Sequence, residues 1–318
     1  MLLDMPLDQL KRYRGTNPRP EDFDAYWDRA LDQMHALDRE IAMTPALFQA
    51  PGAECFDLTF TGVGGARVYA QYLRPERTRG PHPAVVMFHG YGGSSGDFAS
   101  KLAYVNAGFS VAALDCRGQG GRSQDLGGVC GNTHHGHIIR GVDGAPEDLL
   151  FRSIFLDAAE LAGIVMDIPE VDSDRVGVFG GSQGGGLALA CAALEPRIAR
   201  VVSFFPFLCD YQRVWEMDLA KDAYGEIQEY FRFYDPAHQR QEAFFTRLGY
   251  IDVSQLAPRI RGKVQMHTGL MDSVCPPSTQ FAAYNAITAP KKMILYPDYG
   301  HEEPWQARDA AYQFLMKL

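Results

Sequence analysis

The stretch Val176-Gly177-Val178-Phe179-Gly180-Gly181-Ser182-Gln183-Gly184-Gly185-Gly186 decides the fold. Its first four positions read as a short strand, and residues 187–194 beyond it are rich in helix formers. Between the two lies Gly-x-Ser-x-Gly. A chain that passes this sharply from strand to helix strains its central residue and brings the positions two either side of it together, so Gly180 and Gly184 must lack side chains. The turn lifts the Ser182 hydroxyl clear of the sheet. Glycine-rich strand-to-helix turns occur in many α/β proteins, so the motif acquires meaning only from its surroundings.

A serine hydroxyl attacks a carbonyl only when a base takes its proton, and the base needs a third group to set its tautomer. In the α/β-hydrolase order, the acid and then the histidine follow the serine along the chain. Lys263-Val264-Gln265-Met266-His267-Thr268-Gly269 reads as a buried strand and leads to Asp272; Met293-Ile294-Leu295-Tyr296-Pro297 is a further strand and leads to His301. Both candidates thus lie just past carboxyl ends of strands, where open parallel sheets carry their ligand sites. Asp210, after the strand at residues 201–205, is the rival acid, and Asp272 is preferred because its strand neighbours the one delivering His301. Ala84-Val85-Val86-Met87-Phe88-His89-Gly90-Tyr91-Gly92-Gly93 gives another strand and loop, so the main-chain N–H groups of Tyr91 and Gln183 are the expected oxyanion donors.

The rest of the chain alternates strands with helices, which predicts a mostly parallel sheet of eight strands with helices on both faces. Pro20 is read as opening an amphipathic helix bearing Phe23, Trp27, Leu31 and Met34. Residues 55–61 and 66–73 form a hairpin, residues 98–107 a helix, and residues 148–165 a long helix with a buried stripe. One domain is expected over residues 1–318, with a helical extension over about 1–50 and a helical cap inserted over about 211–250. The cap carries Tyr211, Trp215, Tyr224, Tyr230, Phe231, Phe233, Tyr234, Phe244, Phe245 and Tyr250, rings that serve either as its core or as platforms for sugars.

A net charge of −9 argues against nucleic acid and anionic membranes as partners. No stretch approaches the length of an apolar membrane span, and the first residues lack the apolar block of a secretory signal. The six cysteines, Cys55, Cys116, Cys130, Cys191, Cys209 and Cys275, are scattered without a Cys-x-x-Cys pair, which points to reduced thiols in the cytoplasm. His134, His135 and His137 lack the spacing of a zinc site, so neither a metal nor any other cofactor is expected. Cys275 and His267 are read as structural.

With these residues in view, the chain resembles carbohydrate esterase family 7, the acetyl xylan esterases and cephalosporin C deacetylases. The likeness lies in Arg117-Gly118-Gln119, Gly180-Gly181-Ser182-Gln183-Gly184 and His301-Glu302, which match the family's signature blocks. It extends to Pro20-Glu21-Asp22-Phe23-Asp24-Ala25-Tyr26-Trp27, Phe88-His89-Gly90-Tyr91, Pro206-Phe207-Leu208-Cys209-Asp210 and Asp272-Ser273-Val274-Cys275-Pro276-Pro277-Ser278-Thr279. The resemblance implies Ser182, Asp272 and His301 as a triad, with Tyr91 and Gln183 as the oxyanion hole. It implies deacetylation of small acetylated sugars and cephalosporin-type acetates by a ring-shaped hexamer. Other readings are a peptidase of the prolyl oligopeptidase type, a nucleotide binder using the Gly-rich turn, and a hydrolase-fold protein that binds without catalysis. The segment before residue 84 is too short for a peptidase gating domain, and the turn lacks the Lys-Ser or Lys-Thr ending of a phosphate loop.

Overall fold

Apolar and β-branched runs form one sheet that organises the molecule, seen in a computed structural model that describes residues 3–77, 80–126 and 137–318. The strands are β1 (Ala42–Pro45), β2 (Ala53–Gly62), β3 (Ala66–Pro75), β4 (His82–Phe88), β5 (Ser110–Leu114), β6 (Val171–Gly181), β7 (Arg200–Phe204), β8 (Lys263–Gly269) and β9 (Lys291–Tyr296). Their spatial order is β1-β2-β3-β5-β4-β6-β7-β8-β9. The six strands from β5 to β9 in that order run parallel, while β1, β2 and β3 form an antiparallel edge. This is the α/β-hydrolase architecture. The sheet holds nine strands rather than the eight expected, because residues 42–45, assigned to the helical extension, pair with β2, Ala42 opposite Thr59. A four-residue, largely exposed strand carries too little alternation to register in the sequence.

Helices cover both faces. Leu150–Met166 and Gln183–Leu194 are buried along nearly their whole lengths, as helices wedged between a sheet and further structure must be. The helix Phe23–His35 inserts Phe23, Trp27 and Met34 into the core, with the Trp27 ring stacked 6.0 Å from Phe155. It starts at Phe23 instead of Pro20, since the Pro20 carbonyl accepts the Phe23 N–H in a turn that precedes the helix. The long helix likewise starts at Leu150, because Asp148 closes a separate turn by accepting the Ala145 N–H. The expected helix at 98–107 is split into a 3-10 turn, Phe98–Lys101, and a short α-helix, Leu102–Asn106. No helix among the described residues is long and apolar enough to cross a membrane.

Between β7 and β8 come the helices Tyr211–Glu216, Gly225–Tyr234, Gln241–Gly249 and Val253–Leu256. Their rings mostly face one another. Tyr211, Tyr224, Tyr230, Phe231, Phe244 and Phe245 are buried, and Phe231 contacts Trp215, Phe244 and Phe245. Phe233 and Tyr234 are the exposed ones. Most of the aromatic content therefore holds these helices together instead of lining a groove.

Arg117, Asp157 and Glu160 form a buried charged cluster. Arg117 grips Asp157 through two parallel bonds of 2.5 and 2.7 Å, both side chains being nearly inaccessible. One turn along the same helix, Glu160 is fully buried, and neither of its carboxyl oxygens has a hydrogen-bond partner among the described residues. Its nearest cation is the Arg39 guanidinium, 3.6 Å away. Burial, reinforced by the like charge of Asp157, pushes Glu160 up to about 8. The folded protein thus keeps a proton that the unfolded chain releases, so stability from this group is complete below the ordinary carboxyl range and drains as pH climbs toward that raised value. Glu160→Gln should then raise stability by about 1–3 kcal/mol near pH 8 and by much less near pH 5. Thermal denaturation across that range checks it; an equal change at both ends would mean that Glu160 is ionised throughout.

Candidate active site

The turn after β6 is built by exclusion of side chains. A Cβ on Gly180 would sit 2.2 Å from the Gly184 carbonyl oxygen, and one on Gly184 would sit 2.1 Å from the Phe88 carbonyl oxygen. No L-residue other than glycine fits either place. Ser182 itself takes φ 56° and ψ −119°, a conformation that costs a non-glycine residue roughly 1–3 kcal/mol. The cost is met by its surroundings: the Ser182 N–H donates to Phe204 O at 3.0 Å, and its carbonyl accepts the Phe207 N–H at 3.0 Å. The helix Gln183–Leu194 starts at the next residue, so its positive N-terminal end faces the hydroxyl.

Asp272 and His301 come to this serine from the loops after β8 and β9. His301 Nε2 lies 2.9 Å from Ser182 Oγ, and His301 Nδ1 lies 2.9 Å from Asp272 Oδ2. A carboxylate only accepts hydrogen bonds, so the Nδ1 proton faces Asp272 and the Nε2 lone pair faces the hydroxyl. Asp272 is fully buried, yet its oxygens accept N–H bonds from Val274 and Cys275 at 2.9 and 2.8 Å and a third from the Gln280 side chain. The Phe205 ring packs edge-on to the imidazole, with centroids 4.8 Å apart. The imidazole Nε2 thus faces the hydroxyl, with the ring's orientation held from two sides.

Asp210, the rival acid, is engaged elsewhere. Its carboxylate accepts the N–H groups of Thr16 and Asn17 at 3.0 and 2.9 Å and the Tyr13 hydroxyl at 2.7 Å, tethering the first residues of the chain. The His267 ring is buried, bonded to Tyr296 and Gln265, and its pKa is pushed down to about 4 by burial. Burial pushes the Cys275 thiol well above its ordinary value, which removes the thiolate a nucleophile needs.

Parallel pairing of β4 with β6 sets Phe88 opposite Gly180, so the loop His89-Gly90-Tyr91 runs beside Ser182-Gln183. The two expected donors, Tyr91 and Gln183, therefore belong to adjoining loops. His89 braces its loop, with Nδ1 on Gly90 O at 2.7 Å and Nε2 accepting the Cys116 N–H at 3.0 Å. The Tyr91 hydroxyl donates to Glu226, on the helix Gly225–Tyr234, and the other Glu226 oxygen accepts the N–H groups of Ile138 and Ile139. His137 joins this cluster, its Nδ1 3.1 Å from the Tyr91 hydroxyl and its Nε2 donating to Gly118 O. Glu226 escaped sequence reasoning, because 135 positions separate it from Tyr91 and its neighbourhood stood out only for its rings. His134, His135 and Cys130 lie outside the described residues.

A family model described as acetyl xylan esterase matches residues 1–318. Acetyl xylan esterase 1 from Thermoanaerobacterium sp. JW/SL YS485 is 61% identical with a TM-score of 0.97, covering 99% of both chains. An acetyl xylan esterase from Paenibacillus sp. R4 is 34% identical with a TM-score of 0.91, over 98% of this chain and 99% of that one. The acetyl esterase Axe7A of Xylanibacter ruminicola is 23% identical over 94% of this chain, which spans 66% of that relative's length.

The geometry predicts how the serine reacts. An alkyl fluorophosphonate should label Ser182, with the site read by peptide mass spectrometry. Asp272→Asn should slow labelling by orders of magnitude, since an amide favours the wrong imidazole tautomer. Asp210→Asn should lower thermal stability by freeing the tethered segment while leaving the labelling rate within a few-fold; the opposite ranking would reassign the acid.

Proposed function

This chain belongs to the acetyl xylan esterase family and is a carboxylic ester hydrolase, and we propose that it removes acetyl groups from small acetylated carbohydrates through an acetyl-enzyme on Ser182. The observation that carries this reading is the unbroken line from Asp272 through His301 to Ser182, two contacts of 2.9 Å at the sheet edge. His301 Nε2 takes the Ser182 proton as Oγ bonds to the acetyl carbon, and the carbonyl electron pair moves onto its oxygen. That oxyanion is received by the main-chain N–H groups of Tyr91 and Gln183. When it collapses, the C–O bond to the sugar breaks and the departing oxygen takes the proton from His301. Water, deprotonated by the same nitrogen, then attacks the acetyl carbon and releases acetate, and the proton returns to Ser182. Asp272 orients the imidazole and balances its transient charge.

We extend the reading to cephalosporin C-type acetates, whose acetoxymethyl group presents the same scissile bond. Five free, buried cysteines among the described residues support a reducing compartment, the cytoplasm. A homo-hexamer fits the exposed Ile41, Leu47 and Phe48 beside edge strand β1, and its mass would be six times 35.3 kDa, about 212 kDa by light scattering. The single hydrolase unit is read as bearing its helical insertion over the catalytic edge.

The test is substrate choice combined with loss of the nucleophile. Wild-type protein should release acetate from acetylated xylo-oligosaccharides and cleave p-nitrophenyl acetate far faster than the octanoate, while a peptide p-nitroanilide stays intact. Ser182→Ala should fold as wild type and lose at least about 10³-fold in kcat, the residual catalysis coming from the oxyanion donors and binding alone. Preferential peptide cleavage would install the peptidase reading, and an unchanged rate in Ser182→Ala would overturn the nucleophile.

A further inference from the structure

The two oxyanion donors proposed above lie on the loop after β4 and at the start of the helix Gln183–Leu194; the close approach of Gly184 to the Phe88 carbonyl brings these segments together, and side chains brace the gap beyond it. Gln119 spans the gap. Its Nε2 donates to Gln183 Oε1 at 2.7 Å, while Gln183 Nε2 donates back to Gln119 Oε1 at 3.0 Å. The same Gln119 oxygen accepts the Gly92 N–H at 2.9 Å. Because the Gly92 N–H is a fixed donor, only one orientation of the Gln119 amide works, and that orientation leaves its NH₂ facing the Gln183 oxygen. One primary amide thus bonds to the residue after the nucleophile on one side and to the residue after Tyr91 on the other.

The segment carrying Gln119 is itself fixed. Arg117 is locked onto the buried Asp157, the Gly118 carbonyl accepts from His137, and the Gly120 N–H donates to Gly93 O at 3.0 Å. A Cβ on Gly120 would lie 2.8 Å from Gly92 O, so the segment is pressed against the loop it braces. Gln119 is half-buried and sits on a loop, so its contribution to the core is small. We infer that Gln119 is a positioning residue that holds the main-chain N–H groups of Tyr91 and Gln183 at the separation an oxyanion requires. The inference rests on the esterase reading above.

Gln119→Met keeps the length of the side chain without its hydrogen bonds, and Gln119→Ala removes both. Each variant should unfold within a few degrees of wild type. With p-nitrophenyl acetate, kcat should fall about 10- to 100-fold with KM within about twofold, a smaller loss than outright deletion of one donor. The inhibition constant of trifluoroacetone, which adds to Ser182 as a tetrahedral oxyanion, should rise by the same factor as kcat/KM falls. A purely structural role would move melting temperature and KM together and leave that proportionality absent. Wild-type kcat in both variants, a lower kcat with unaltered trifluoroacetone inhibition, or failure of both variants to fold would overturn the inference. Ser182→Ala assayed alongside separates the two claims: if it retains activity the esterase reading fails, whereas if it alone is inactive only the role of Gln119 fails.

Discussion

The contact between Gly180 and the Gly184 carbonyl is the constraint on which the site depends. With no side chain at either position, β6 turns into a helix within a few residues, and Ser182 is held in a backbone conformation that its type rarely adopts. The Gly184 side of the same turn rests against the Phe88 carbonyl, so the elbow also fixes how closely the loop after β4 approaches. Ser182, the helix terminus and the loop after β4 are thus placed by one steric exclusion. The parallel order of β6, β7, β8 and β9 then brings Asp272 and His301 to the same edge as Ser182.

What could be read in advance followed the range of the forces involved. The elbow is a local steric rule written within seven residues, and Asp272 and His301 each follow a strand whose apolar run is evident. Asp272 could be preferred to Asp210 from strand adjacency, but what engages Asp210 instead could not be read. Residues 13–17 dock on it, a contact across nearly two hundred positions that no periodicity encodes. A separation of 135 positions likewise hid Glu226 behind Tyr91. The aromatic run between β7 and β8 was legible as helical but not as self-packed, because residue type alone does not tell a ring's partner. Strand β1 was too short to be seen at all.

Two buried carboxyls are accommodated in different ways here. Asp272 is surrounded by donors: two backbone N–H groups, an amide and the imidazole, so burial costs it little and its geometry is fixed. Glu160, equally buried, has none within hydrogen-bond reach among the described residues and retains its proton instead. The contrast separates a carboxyl shaped for a task from one accommodated by the packing. It also explains why burial of an acid, taken alone, does not mark a functional site.

The tether formed by Asp210 has a consequence in time. Residues 4–17 find their partners at Asp210, Arg213, Ser278 and Asn285, all in the last third or so of the chain. During synthesis residues 4–17 therefore emerge long before their partners and are among the last segments to dock. Until residue 285 has emerged, that arm trails unsatisfied while the central sheet is already assembling. Closure of the fold therefore waits on contacts between segments some two hundred positions apart, a kind of pairing whose loop-closure cost must be met before it is rewarded.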